Sequence, residues 1–132
     1  MDSLKDKTIF ISGPMSGLEC CNVAEFARAH ALLKELGAAD VYDPAVEYLT
    51  QVGTEGEHTH GWYMRRCLRE LTRTDDSRWA MVPRMPGLSE NPPYYDLLVR
   101  LPGWEGSAGA RMESDVAEAI GIEVRDLSEV VS

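Results

Sequence analysis

The chain has 132 residues, 44% of them hydrophobic and 27% charged, with a formal net charge of −9 and a sequence pI near 4.7. That is enough for one domain with a real core and too little for two. The acidic balance argues against non-specific nucleic-acid binding, which needs a basic footprint, but leaves room for a small anionic ligand held by local N–H groups and a few arginines.

No apolar run reaches the length of a membrane span. The charged opening Met1–Lys7 leads straight into a strand pattern, so no signal peptide and no membrane partner are expected. Three cysteines, without disulfide-framework or zinc-site spacing, point to reduced thiols and a cytoplasmic setting.

Taken in chain order, Thr8–Ser12 reads as a short buried strand that Gly13-Pro-Met-Ser-Gly17 ends sharply. Asn22 and Glu25 fit a capping box for a helix whose apolar positions are Phe26, Ala29, Leu33 and Leu36, with Gly37 as its C′ residue. Asp40–Asp43 is a second strand, closed by Pro44. Residues 48–60 read as a polar surface loop. A second amphipathic helix follows, with Met64, Cys67, Leu68 and Leu71 along its apolar stripe.

Residues 74–93 are rich in breakers, with Trp79–Val82 a candidate strand inside them. Tyr95–Leu101 is a further strand, then come a loop, a helix ended by Gly121, and a last strand over Ile122–Asp126. Strands alternating with helices predict an α/β domain with a mostly parallel sheet of about four to five strands, covered on both faces.

The helix after the last loop carries the most informative residue. At helical period, Arg111, Ser114, Asp115 and Glu118 form a polar face, and Met112, Val116, Ala117 and Ile120 an apolar one. Glu113 falls inside the apolar arc, near a helix start whose N–H groups attract anions and hydroxyl oxygens. A carboxylate on the core side is costly unless something uses it. Two readings stand level: a nucleophile or sugar-hydroxyl acceptor, or a glutamate paired with an arginine such as Arg66 or Arg69.

The other constellations are weaker. Gly13–Gly17 follows a strand, as a phosphate loop would, yet it is neither Gly-x-Gly-x-x-Gly nor a Walker A sequence, and a plain turn explains it. The Glu55–His60 stretch has two histidines and two glutamates but no anchored third ligand, so a solvated loop is expected and no metal site. His30 reads as a helix-surface or boundary residue, and Cys67 as a small buried hydrophobe.

Several segments together resemble the nucleoside 2-deoxyribosyltransferase-like superfamily, and most of all a small branch of it found in bacteria and their phages. They are Ile9-Phe-Ile-Ser-Gly-Pro-Met-Ser-Gly17, Asn22 with Phe26, Asp43-Pro-Ala45, Tyr63-Met-Arg-Arg66, and Leu101-Pro-Gly-Trp-Glu-Gly-Ser-Ala-Gly-Ala-Arg-Met-Glu113. The resemblance spans roughly residues 7–126, apart from 74–93, which reads as an insertion or lid.

It implies a single Rossmann-like three-layer sandwich, dimeric or larger. The implied activity is cleavage or transfer of the N-glycosidic bond of a nucleoside or deoxynucleoside 5′-monophosphate, with no cofactor or metal. The alternative is a non-catalytic nucleotide or nucleotide-sugar binding module.

Under that resemblance Glu113 matches the nucleophile that attacks the anomeric carbon. Ser107 and Gly109 match residues that hold the sugar 5′ end or its phosphate. Gly13, Met15 and Gly17 match the first ligand loop, and Asp43 joins the substrate-binding set. Trp104 is a further expected pocket wall, an inference from its place in the loop. Related hydrolases carry an aspartate on the middle helix, where this chain has Cys67. Asp43, Glu47 and Asp96 are the candidate substitutes.

Overall fold

A computed structural model describes residues 4–14, 22–45, 60–74 and 92–131. Four strands form one sheet: β1 (Thr8–Ser12), β2 (Asp40–Tyr42), β3 (Leu97–Arg100) and β4 (Glu123–Asp126), hydrogen-bonded in the order β2-β1-β3-β4. Every pairing is parallel, with Ser12 opposite Arg100 and Arg100 opposite Asp126. The helices are α1 (Val23–Glu35), α2 (His60–Leu71), α3 (Ala108–Ala119) and a short α4 (Leu127–Val131) that sequence patterning does not anticipate.

Side-chain alternation sends successive strand residues to opposite faces, and here both faces are dry. Ile9, Ile11, Leu97 and Val99 meet Phe26, Ala29 and Leu33 of α1, with Leu127 and Val130 of α4 beside them. Phe10 and Leu98 point the other way, onto Leu71 and Leu68 of α2 and Ala117 of α3. The result is the expected three-layer α/β sandwich. Its central strand is shorter than the predicted Tyr95–Leu101, although Tyr95 and Leu101 are both buried.

Helix ends follow local chemistry where the backbone permits it. Gly37 takes φ 104°, its N–H donates to the Lys34 carbonyl, and the Ala38 N–H donates to Leu33. This is the glycine-closed helix end expected at that position. Gly121 closes α3 in the same way, with φ 88°.

The expected capping box at α1 does not form. Asn22 sits at φ 63°, left-handed, and makes no side-chain cap bond. A side chain caps from an extended backbone. Here Asn22 Nδ2 instead donates to the Pro14 carbonyl at 3.0 Å.

Met15, Gly17, Cys20, Cys21, Glu47, residues 48–59 of the loop expected over 48–60 and the candidate strand Trp79–Val82 lie outside the described residues, as does the side chain of His60, whose backbone opens α2 rather than ending that loop. The ends of the proposed insertion are stapled. Thr74 and Pro93 form an antiparallel bridge, and the Tyr94 N–H donates to the Arg73 carbonyl at 2.8 Å.

Candidate functional site

Strand order decides where a site belongs. The chain leaves β1 toward β2 on one side, and β3 continues to β4 on the other, with α1 and α3 on opposite faces. The connections diverge above the C-terminal ends of β1 and β3, the place where α/β sheets open a crevice for ligands. Ser12 ends β1 there, and Arg100 ends β3 opposite it.

Ser12 has the same strand parity as Phe10, so its hydroxyl faces the α2–α3 layer rather than α1. Glu113 comes down to meet it from α3. Ser12 Oγ donates to Glu113 Oε1 at 2.6 Å, and both residues are buried, Ser12 completely and Glu113 to 6% exposure. Cys67 of α2 supplies a second hydrogen bond to the carboxylate. Burial pushes the Glu113 pKa up to about 7, and the Ser12 and Cys67 bonds offset only part of that rise. Among the described residues no cation pairs with Glu113. Arg66 lies over the Trp62 ring and Arg69 is exposed, so the arginine-paired reading loses its two named partners.

The buried stripe of α3 differs from the expected one. Ala110, Glu113, Ser114 and Ala117 face inward, while Met112 is 50% and Ile120 38% exposed. Small residues let α3 lie close to the sheet, and Ser114 is drawn in because Arg100 Nη1 donates to its Oγ at 3.2 Å. Glu113 is therefore central to the helix's inner face, the place its position in the apolar arc predicts.

The loop before α3 is built around Arg100. Its Nε donates to Asp126 Oδ1 at 2.7 Å, and its guanidinium lies 3.9 Å over the Trp104 ring. Gly103, at φ 88°, lets the chain enter the 3₁₀ turn Trp104–Gly106. Ser107 then caps α3, its Oγ accepting from the Ala110 N–H at 3.2 Å. Gly109 lies in the first turn, so Ser107 and Gly109 stand at the helix start with Glu113 deeper along the same helix.

Trp104 lines a groove of about 380 Å³ with Arg100, Asp126 and Leu127, on the β3–β4 flank. Glu113 is not among that groove's lining residues, so Trp104 walls a neighbouring depression.

Gly13 is buried for a packing reason. A Cβ there would meet Leu101 Cβ at 2.8 Å, so β1 and the end of β3 converge too tightly for a side chain. Its backbone is not left-handed, which removes the turn-geometry explanation.

Asp43 stands at the same sheet edge, just past β2. Its Oδ1 accepts from the Ala45 N–H at 3.0 Å, and its Oδ2 lies 3.4 Å from His30 Nδ1. Asp96 is excluded as a helper carboxylate at the site. Its Oδ2 accepts from the Thr8 N–H at the opposite, N-terminal end of β1.

Sequence reasoning missed Ser12, Arg100 and Asp126 as members of this cluster. Strand parity was the available signal for Ser12, which shares the Phe10 face with Thr8 but stands at the C-terminal end of β1. Nothing local marks Arg100 and Asp126, which meet only through the β3–β4 register.

No curated protein and no solved structure matches the chain. One family model does, over residues 7–82 and 90–126, most of the chain. The protein therefore belongs to that family, DUF4406, described as a domain of unknown function.

Proposed function

We propose that the protein cleaves or transfers the N-glycosidic bond of a nucleoside or deoxynucleoside 5′-monophosphate, with Glu113 as nucleophile. The observation that carries this reading is a buried carboxylate over the C-terminal ends of β1 and β3, bonded by the Ser12 hydroxyl and the Cys67 thiol, whose pKa burial pushes up to about 7. A buried acid with a raised pKa at the ligand-binding end of an α/β sheet is a candidate functional group. The resemblance of Leu101–Glu113 and Ile9–Gly17 to deoxyribosyltransferase-like proteins supplies the substrate class.

In the proposed chemistry a Glu113 oxygen bonds to the anomeric carbon as the C–N bond breaks, and the electron pair leaves on the base nitrogen, which takes a proton from water. Water or a second base then attacks the same carbon and returns the electron pair to the carboxylate. Ser107, Gly109 and the start of α3 would receive the 5′ end or its phosphate. A homo-oligomer and a cytoplasmic setting belong to the same reading.

The test is chromatography of nucleosides and 5′-monophosphates incubated with wild type and with Glu113→Gln. Base released by wild type alone is the expected result. Equal release by both removes Glu113 from the role.

One observation favours a second reading, a binding module without turnover: the group beside Glu113 on α2 is the thiol of Cys67, which is a poor proton donor to a leaving base near neutral pH. That reading expects nucleotide-induced thermal stabilisation and no base release.

A further inference from the structure

The seam between β1 and α3 holds a contact that the nucleophile reading alone does not require. Ser12 is fixed by the parallel ladder at the end of a strand buried from Ile9 onward, and Glu113 by the inner face of α3. Their side chains bridge a sequence separation of 101 residues at 2.6 Å. We propose that Ser12 is a positioning residue for Glu113, its hydroxyl holding Oε1 so that the carboxylate is presented in a single orientation and in its ionised form. The proposal rests on the reading of Glu113 as the nucleophile.

The chemistry follows from which species the bond favours. A hydroxyl donating to a carboxylate binds the anion better than the neutral acid or an ester. It therefore helps Glu113 to ionise before attack. It also helps the later step, in which the bond from the anomeric carbon to Glu113 breaks and the electron pair returns to the carboxylate. Loss of the hydroxyl slows that second step, so the glycosyl-enzyme accumulates.

Other groups around α3 are occupied elsewhere. Cys67 on α2 touches Glu113 as the second donor. Arg100 on β3 is held by Asp126 of β4 and by Ser114, Arg66 lies over Trp62, Glu70 accepts from Tyr95, and Arg125 pairs with Glu123. Arg65, Arg69, Glu105, Arg111 and Asp115 are exposed. Among the described residues Ser12 and Cys67 are the hydrogen-bond donors to the carboxylate.

The experiment is a ¹³C NMR titration of the Glu113 carboxyl in wild type, Ser12→Ala and Ser12→Thr, the signal being assigned by its loss in Glu113→Gln. The acid limb of kcat is measured beside it. In Ser12→Ala the midpoint should rise by about one pH unit, with a ~tenfold loss of rate on the acid limb. Ser12→Thr keeps the hydroxyl and should return both toward wild type. An unchanged midpoint in Ser12→Ala overturns the proposal, even in a protein that turns nucleosides over. A raised midpoint in a protein that releases no base supports the Ser12–Glu113 coupling and overturns the N-glycosidase reading instead.

Discussion

Cys67 of α2 and Glu113 of α3 meet through a thiol-to-carboxylate hydrogen bond, and neither this donor nor Ser12 carries a charge. Burial is therefore the dominant influence on the acid. Neutral donors soften the cost of removing a carboxylate from water without cancelling it, as an arginine would. The resulting pKa of about 7 ties stability and reactivity to the same proton.

That coupling predicts an inverse relation between stability and activity. The folded-state pKa lies above the ordinary 4.5, so between about 4.5 and 7 the folded protein holds a proton that the unfolded chain has released. Below that window Glu113 contributes no penalty. Above it the folded state carries the whole cost, about 3 kcal/mol from the size of the shift. Glu113→Gln removes the charge, so it should be more stable than wild type at pH 8 by about 1–3 kcal/mol, with the difference vanishing toward pH 4.5. Chemical denaturation of both proteins across this range checks it. Base release by wild type should rise through pH 7, where stability has been lost.

Cys67→Asp should move the Glu113 titration further up. Two carboxylates sharing a buried site cannot both ionise freely, so one keeps its proton to higher pH. The acid limb of the rate profile should shift upward relative to wild type, and turnover at pH 7 should fall. An acid limb that stays in place would show that residue 67 does not sense the ionisation of Glu113.

Gly13→Ala should destabilise the fold by about 1–3 kcal/mol through overpacking. The added Cβ would stand 2.8 Å from Leu101 Cβ, and both backbones are pinned by the β1–β3 ladder. Denaturation midpoints measure the cost. A neutral substitution would mean that the two strand ends can part without loss.

Much of this architecture is written in periodicity. Ile9–Ile11 and Leu97–Val99 are apolar runs because both sheet faces are covered, and Gly37 and Gly121 mark helix ends that need a left-handed residue. Glu113 was legible as a misplaced charge, but for a partly mistaken reason. Hydrophobicity alone selects Met112, Val116, Ala117 and Ile120 as the inner face of α3; Ala117 is buried and Val116 packs against the core, but Met112 and Ile120 are exposed. The sheet adds Ala110 and Ser114, because small side chains permit close approach and Arg100 provides a partner for Ser114.

Asp96 shows the same limit from the other direction. Its residue type suits acid–base work, and only topology reveals that it caps the far end of β1. Asn22 has the right chemistry for a helix cap and the wrong backbone, and its amide donates to the Pro14 carbonyl instead.

Arg100 tests whether the loop before α3 positions the acid mechanically. Its guanidinium joins β4 through Asp126, α3 through Ser114 and the 3₁₀ turn through Trp104. Lysine keeps the charge but loses the planar fork that serves these partners together. Arg100→Lys should cost about 1–2 kcal/mol of stability, since charge-assisted bonds and a stacked cation are each worth about 1 kcal/mol or more where partly shielded. Its effect on the reaction should differ from that of Ser12→Ala. Loosening the start of α3 should lower kcat at every pH, while the Glu113 midpoint stays in place because its two donors remain. Denaturation, a pH–rate profile and the carboxyl titration, measured on one Arg100→Lys preparation, separate the two effects, and a shifted midpoint would show that Arg100 acts on the carboxylate itself.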